Sequence, residues 1–256
     1  MKIVFFDVDG TLLSHKLGAV PESTKRAVRK LRENGILTVI ATGRHMIELS
    51  KLPVMELKFD GYLTLNGQLC LDKDRNVIAG TPIDPGEMEV LSSIFHRKRI
   101  PFLLTGEKDR YINYVNDTVI DTQAQTHGTI PTVGQYQGEA IYQIVAFVHD
   151  RERELLDSIL DECNITSWNA TGIDIIAKGG GKAVGIERYI SKLGIDRQDA
   201  MAFGDGENDI QMLRYVGTGV AMGNAADPVK AAADYVTADI DEDGIEKALI
   251  HFGLID

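Results

Sequence analysis

Cysteine is nearly missing from this chain of 256 residues: Cys70 and Cys163 stand far apart and in none of the paired spacings that hold zinc. A reduced, cytoplasmic protein is the simplest account. Long apolar runs are missing too, since no uninterrupted stretch approaches the roughly 20 residues that a membrane span needs. At the N-terminus only Lys2 precedes an apolar run that stops at Asp7, too short for the core of a signal peptide. The six histidines, His15, His45, His96, His127, His149 and His251, show neither HExxH nor paired spacing and read as surface or core residues. Positive charge is scarce, with 27 Lys and Arg against 38 Asp and Glu and a formal net charge of -11. Nucleic acid and anionic membranes reward clustered cations, so neither is expected as a partner. If the ligand is an anion, the protein has to offset its own field locally, with a divalent metal, a lysine or helix N-termini.

What is present begins at once. Ile3, Val4, Phe5 and Phe6 form a continuous apolar run that reads as a strand buried on both faces, and it ends in Asp7-Val8-Asp9-Gly10-Thr11. Asp7 and Asp9 are two apart, so extended geometry through Val8 sends their side chains to the same face. Two carboxylates held close repel unless a cation lies between them or one keeps its proton. The pattern implies a metal site or an acid/base pair, and the competing reading is ordinary Asp-Gly turn chemistry.

The order of elements predicts an α/β protein, a doubly wound parallel, Rossmann-like sheet with an inserted α+β segment. Strand and helix alternate from the N-terminus to about Gly80: a strand, a helix over 22–34, a strand over 36–41, a short helix after Arg44 and a strand over 62–65. Segments 68–71 and 76–80 read as a hairpin. Thr81-Pro82-Ile83-Asp84-Pro85-Gly86 is the densest cluster of chain breakers and marks a boundary. Beyond it, 84–177 mixes helices over 87–97 and 152–161 with strands over 101–105, 110–115, 142–148, 165–168 and 173–176, as an antiparallel layer does. The first rhythm resumes with a helix over 182–193, a strand over 200–203, a helix over 209–215, a strand over 217–222 and helices over 228–233 and 244–252. The expected domains are thus 1–83 with 178–256, and 84–177.

Three further positions carry chemistry. The apolar strand at 200–203 runs into Gly204-Asp205-Gly206-Glu207-Asn208-Asp209, and ligands of open parallel sheets bind at the carboxyl ends of strands. Bringing the two strand ends together would gather Asp7, Asp9, Asp205 and Asp209 into an all-oxygen site of the kind Mg²⁺ prefers. Asp209 reads equally as the N-cap of the helix that follows. A third strand end delivers Thr42-Gly43-Arg44, a hydroxyl and a free amide suited to an anion, or a cap for the helix near His45. Lys182 follows three glycines and opens a helix, which puts a fixed charge and the positive end of the helix dipole together. A P-loop is excluded, because Ile176 stands where its first glycine belongs and Ala183 follows the lysine.

DVDGT, Thr42, Lys182 and GDGEND, in this order and over the whole chain, resemble the haloacid dehalogenase superfamily of phosphotransferases. The insertion between the second and third motifs is similar to that of the Cof-like phosphatases with the larger type of cap domain. The resemblance implies a phosphatase that hydrolyses small phosphorylated metabolites, sugar phosphates or phosphorylated cofactors, through an aspartyl-phosphate intermediate. It makes Asp7 the nucleophile and Asp9 the general acid and base. Mg²⁺ would be held by the Asp7 carboxylate, the Asp9 carbonyl and Asp205, with Asp209 supporting its shell. Thr42, Gly43 and Lys182 would hold the phosphoryl oxygens, Asn208 would help orient them, and Arg44 and Asn66-Gly67 would contact substrate. The inserted segment would close over the site and select the leaving group. A sugar phosphomutase and a non-catalytic phosphometabolite-binding protein are the rival readings.

Overall fold

A computed structural model describes residues 1–125, 129–167 and 170–256 of the chain. His127 and Trp168, the latter at the end of the strand expected over 165–168, lie outside the described residues. The chain divides into two compact units, Met1–Ala79 with Gly181–Asp256, and Gly80–Gly180.

The first segment carries β1 (Ile3–Phe6), α1 (Glu22–Glu33), β2 (Leu37–Ala41), α2 (Met46–Leu49), β3 (Gly61–Thr64), β4 (Leu69–Asp72) and β5 (Val77–Gly80). The inserted unit adds α3 (Pro85–His96), β6 (Phe102–Thr105), β7 (Arg110–Ile112), α4 (Asp117–Gln125), β8 (Gln143–Phe147), α5 (Asp150–Ile159), β9 (Cys163–Ser167) and β10 (Gly172–Ala177). The chain then returns through α6 (Lys182–Leu193), β11 (Ala200–Gly204), α7 (Ile210–Tyr215), β12 (Thr218–Ala221), α8 (Asp227–Lys230), β13 (Tyr235–Val236) and α9 (Gly244–His251). Among the described residues no helix is long and apolar enough to cross a membrane.

The larger sheet runs β13-β12-β11-β1-β2-β3-β4-β5. From β13 to β3 every neighbouring pair is parallel, and β4 returns antiparallel on β3. β1 lies near the middle and all four of its residues are fully buried, as a continuous apolar run with helices on both faces should be. Alternation sorts its side chains. Ile3 and Phe5 join Val39, Ala41 and Leu63 under Ile186 and Tyr189 of α6 and Met212 and Leu213 of α7. Val4 and Phe6 leave by the other face, where Phe6 stacks on Phe203 with ring centroids 5.3 Å apart.

The inserted unit is an antiparallel sheet in the order β7-β6-β8-β10-β9. Phe102, Leu104, Ile144 and Ala146 face α3 and α5 through Leu91, Phe95 and Leu156, while Leu103, Val145 and Phe147 face Val119 of α4. Helix α4 is unexpected from sequence. Its apolar period rests on the buried Val119 alone, with Ile120 exposed, so packing on the sheet supplies what the pattern lacks.

Candidate active site

Parallel strands place their carboxyl ends along one edge, and β1 lies where the chain order reverses, with β2 on one side and β11 on the other. Asp7 directly follows β1, and its amide still bonds to the Phe203 carbonyl at 3.0 Å. The ladder then breaks. The Val8 carbonyl accepts from the amides of Thr11, Leu12 and Leu13, a tight turn that Gly10 enters at φ +79°. Side chains at Gly10 are excluded twice, by that left-handed backbone and because a Cβ would overlap the Asp205 carboxylate.

Lys182 is the pivot of the site. Its ammonium donates to Asp7 Oδ1 and to Asp209 Oδ1, each at 2.6 Å, and its side chain is fully buried. The first residue of α6 reaches this depth because Gly181, at φ +135°, turns into the helix and Gly185 packs on Gly67, where a Cβ would come within 2.7 Å of backbone. Burial works against the charge on Lys182, but Asp209 and Asp7 outweigh it and hold its pKa above the ordinary lysine value. Burial raises Asp7 to about 8, with Lys182 opposing and Asp209 adding to the rise. Asp7 Oδ2 accepts no hydrogen bond among the described residues, and Asp7 keeps 7% exposure.

Asp205 and Asp209 follow β11, and their roles differ. Asp209 Oδ2 accepts from the Asp205 and Gly206 amides at 3.0 and 2.9 Å, so this residue ties its own loop to Lys182. Its side chain makes no cap on α7, which corrects that part of the sequence reading: the tight turn over Glu207–Asp209 comes first and uses the carboxylate at its own N-terminus. Asp205 is raised to about 6, chiefly by burial, with a bond from Thr11 working the other way. Thr11 Oγ1 donates to its Oδ1 at 2.7 Å, and Asn224 Nδ2 lies 3.4 Å from its Oδ2 while donating to the Gly10 carbonyl at 2.9 Å. Sequence reasoning assigned no role to Thr11 or Asn224. Thr11 lies inside DVDGT, and Asn224 follows the end of β12, beside a strand end already marked by acid.

At the end of β2, the Thr42 hydroxyl accepts from the Arg44 amide at 3.2 Å, and its own proton has no acceptor among the described residues. The helix cap there is His45, whose side chain accepts from the Ile47 amide, so Thr42-Gly43 does not cap α2. Arg44 turns to Asp9: Nε donates to Oδ2 at 2.6 Å and Nη2 to Oδ1 at 2.8 Å. Leu65 and Asn66 follow β3 with φ of +53° and +54°, a conformation that L side chains adopt at a cost and that clusters at functional sites. The Asn66 side chain accepts from Asn208 Nδ2 at 3.1 Å and crowds Gly43, where a Cβ would come within 3.2 Å of it. Among the predicted residues, direct bonds therefore join Asp7, Asp209 and Lys182, Asp205 and Asp209, Asp9 and Arg44, Thr42 with Arg44 and with Asn66, and Asn66 and Asn208.

Asp7, Asp205 and Asp209 each bring one carboxylate oxygen within 4.8 Å of the others. Three carboxylates against one ammonium leave two negative charges in a largely buried place. A divalent, oxygen-seeking cation is what that donor set fits. Burial is the main cause of the raised values of Asp7 and Asp205, and the neighbouring carboxylate of Asp209 adds to both.

The same arrangement of strand ends is shared by a family. A model of the haloacid dehalogenase-like hydrolases matches residues 4–249. YkrA of Bacillus subtilis (strain 168) is 34% identical over 99% of this chain and 98% of its own. The 5-amino-6-(5-phospho-D-ribitylamino)uracil phosphatase YcsE of the same organism is 28% identical over 99% of this chain and 96% of its own. Among solved structures, the sugar phosphatase BT4131 of subclass IIB aligns over 100% of both chains with 38% identity and a TM-score of 0.83. From the first buried strand into the last helix, the chain belongs to the haloacid dehalogenase-like hydrolases.

Proposed function

We propose that this hydrolase is a Mg²⁺-dependent phosphatase of small phosphate monoesters, working through an aspartyl phosphate on Asp7. The observation that carries this reading is the Asp7 carboxylate: Oδ1 is pinned by a buried lysine, and Oδ2 is left without a hydrogen bond among the described residues. A carboxylate so held has one oxygen aimed and one to react. In the first step Asp7 Oδ2 bonds to phosphorus as the ester P–O bond breaks, and the departing oxygen takes a proton from Asp9. In the second, Asp9 takes a proton from water, whose oxygen bonds to phosphorus as the P–O bond to Asp7 breaks.

Lys182, the Thr42 hydroxyl and the Gly43 amide are assigned to the non-transferred phosphoryl oxygens, with Asn208 and Asn66 orienting them. The Asp7 and Asp205 carboxylates and the Asp9 carbonyl would hold the Mg²⁺, with Asp209 behind them. When bound, the ion supplies positive charge that lets a carboxylate meet a phosphate dianion. The relatives named for sugar phosphates and for a phosphoribitylamino compound act on alkyl phosphates with polar chains, and we assign this chain to the same broad class. Selection of the leaving group is assigned to the inserted unit, Gly80–Gly180.

The test is turnover of an aryl phosphate and a panel of alkyl phosphates with Mg²⁺, with EDTA and with Asp7→Asn. Hydrolysis that EDTA abolishes, Mg²⁺ restores and the folded Asp7→Asn protein lacks is the expected result. Turnover by that variant at the wild-type rate overturns the reading.

A further inference from the structure

Arg44 differs from Lys182 because it does not bond to Asp7 and instead grips Asp9 with both prongs, at 2.6 and 2.8 Å. Parallel bonds of this kind fix the plane of a carboxylate, which one bond to a lysine does not. The backbone that launches Arg44 is itself held at both ends. Its amide donates to Thr42 Oγ1 at 3.2 Å and its carbonyl accepts from the Leu65 amide at 3.2 Å, while the Asn66 amide reaches the Thr42 carbonyl at 3.0 Å. Those last two bonds come from consecutive residues with left-handed backbone, and Leu65 is a bulky, buried residue for which that conformation is an outlier.

We infer that Arg44 is a positioning residue for Asp9, holding its carboxylate in the plane from which it exchanges protons, and is not a ligand of the substrate phosphate. The inference rests on the phosphatase reading above. Each oxygen of Asp9 gives one lone pair to Arg44 and keeps another. No other side chain among the described residues donates to Asp9. Arg44 and Asp9 side chains retain 36% and 30% exposure, so the pair is open to a substrate oxygen or a water without being dismantled.

The role separates from phosphate binding by its dependence on the leaving group. Dinitrophenolate departs without a proton, whereas an alkyl ester oxygen has to be protonated to depart as the alcohol, and general acid catalysis contributes about 10²–10⁴-fold where it is needed. Values of kcat/KM are measured for dinitrophenyl phosphate and for the alkyl phosphate that the wild type turns over best, in Arg44→Met, Arg44→Lys, Asp9→Asn and the Arg44→Met, Asp9→Asn double variant. Arg44→Met is expected to lose at least about tenfold more on the alkyl ester than on the aryl ester. Arg44→Lys keeps the charge and the stem but not the fork, and should show the same disproportion. In the double variant the two losses on the alkyl ester should not add. Equal losses on the two esters, or additive losses with Asp9→Asn, overturn the role. Thermal midpoints and circular dichroism of each variant separate both results from unfolding, and a Met variant that does not fold leaves the Lys variant to decide. A wild type that hydrolyses neither ester defeats the phosphatase reading and this inference with it, whereas a wild type that hydrolyses both while Arg44→Lys loses equally on the two defeats only the inference.

Discussion

The Cα of Gly10 passes so close to the carboxylate of Asp205 that a methyl group on it would overlap that carboxylate, and the backbone there has φ +79°. Residues 195 apart in number meet because β1 and β11 are paired in the sheet, with Phe6 opposite Phe203. Gly10→Ala therefore meets two penalties, left-handed backbone and displacement of Asp205. We expect a loss of about 1–3 kcal/mol of stability from urea unfolding, together with a fall in kcat that glycine at the neighbouring position cannot restore.

Lys182 holds two buried carboxylates, so its removal leaves both without their cation. Lys182→Met should cost about 3–5 kcal/mol, the range for breaking a buried ion pair from one side. Activity should fall by about 10²–10³-fold, as when one preorganised charge is removed from a site. The Asp7→Asn variant, by contrast, replaces a carboxyl whose ionised form burial disfavours and leaves Lys182 paired with Asp209, and it should unfold at no lower temperature than wild type. Thermal midpoints of the two variants check the contrast.

Stability of the metal-free protein should fall as pH rises. Asp205 and Asp7 are raised from 3.8 to about 6 and about 8, so between about pH 4 and 8 the folded chain holds protons that the unfolded chain has released. Each such group makes folding less favourable as it is forced to ionise. The raised Lys182 does not oppose this trend, because the stability it contributes is lost only above that window. Urea midpoints in EDTA at the two ends of the window should show the decline, and Mg²⁺ should raise the midpoint most at the alkaline end. An ion held at 100 times its Kd contributes about 2.7 kcal/mol.

Thr11 is fully buried and donates to Asp205 Oδ1 at 2.7 Å. Thr11→Val keeps the shape and removes the donor. Partners that orient a metal ligand typically change metal affinity by about 10–100-fold, so Mg²⁺ activation of this variant should half-saturate at a correspondingly higher concentration while the far-ultraviolet spectrum is unchanged. Unaltered Mg²⁺ dependence would separate Thr11 from the metal.

The acids were legible because each follows a buried strand, where charge is costly and therefore informative. Asp7 and Asp205 stand at such boundaries, and Lys182 was marked by three glycines at the start of a helix. Thr11 and Asn224 were not legible as partners of Asp205, since a hydroxyl in a turn and an Asn after Gly223 have many uses in any chain. The place of Arg44 in Thr42-Gly43-Arg44 suggests a contact to substrate. The backbone that carries its fork on Asp9 is bonded by left-handed Leu65 and Asn66, and nothing in Leu-Asn announces that conformation.

Sequence alone determined the buried strands that end in acid and the change of rhythm beyond about Gly80, because these follow from local pattern and the cost of burying charge. Tertiary structure decided which charges face which. Lys182 meets Asp7 and Asp209, Arg44 meets Asp9, and Thr11 meets Asp205, since pairing across parallel strands is set by strand order and register, which bring together residues whose distance in the chain carries no signal.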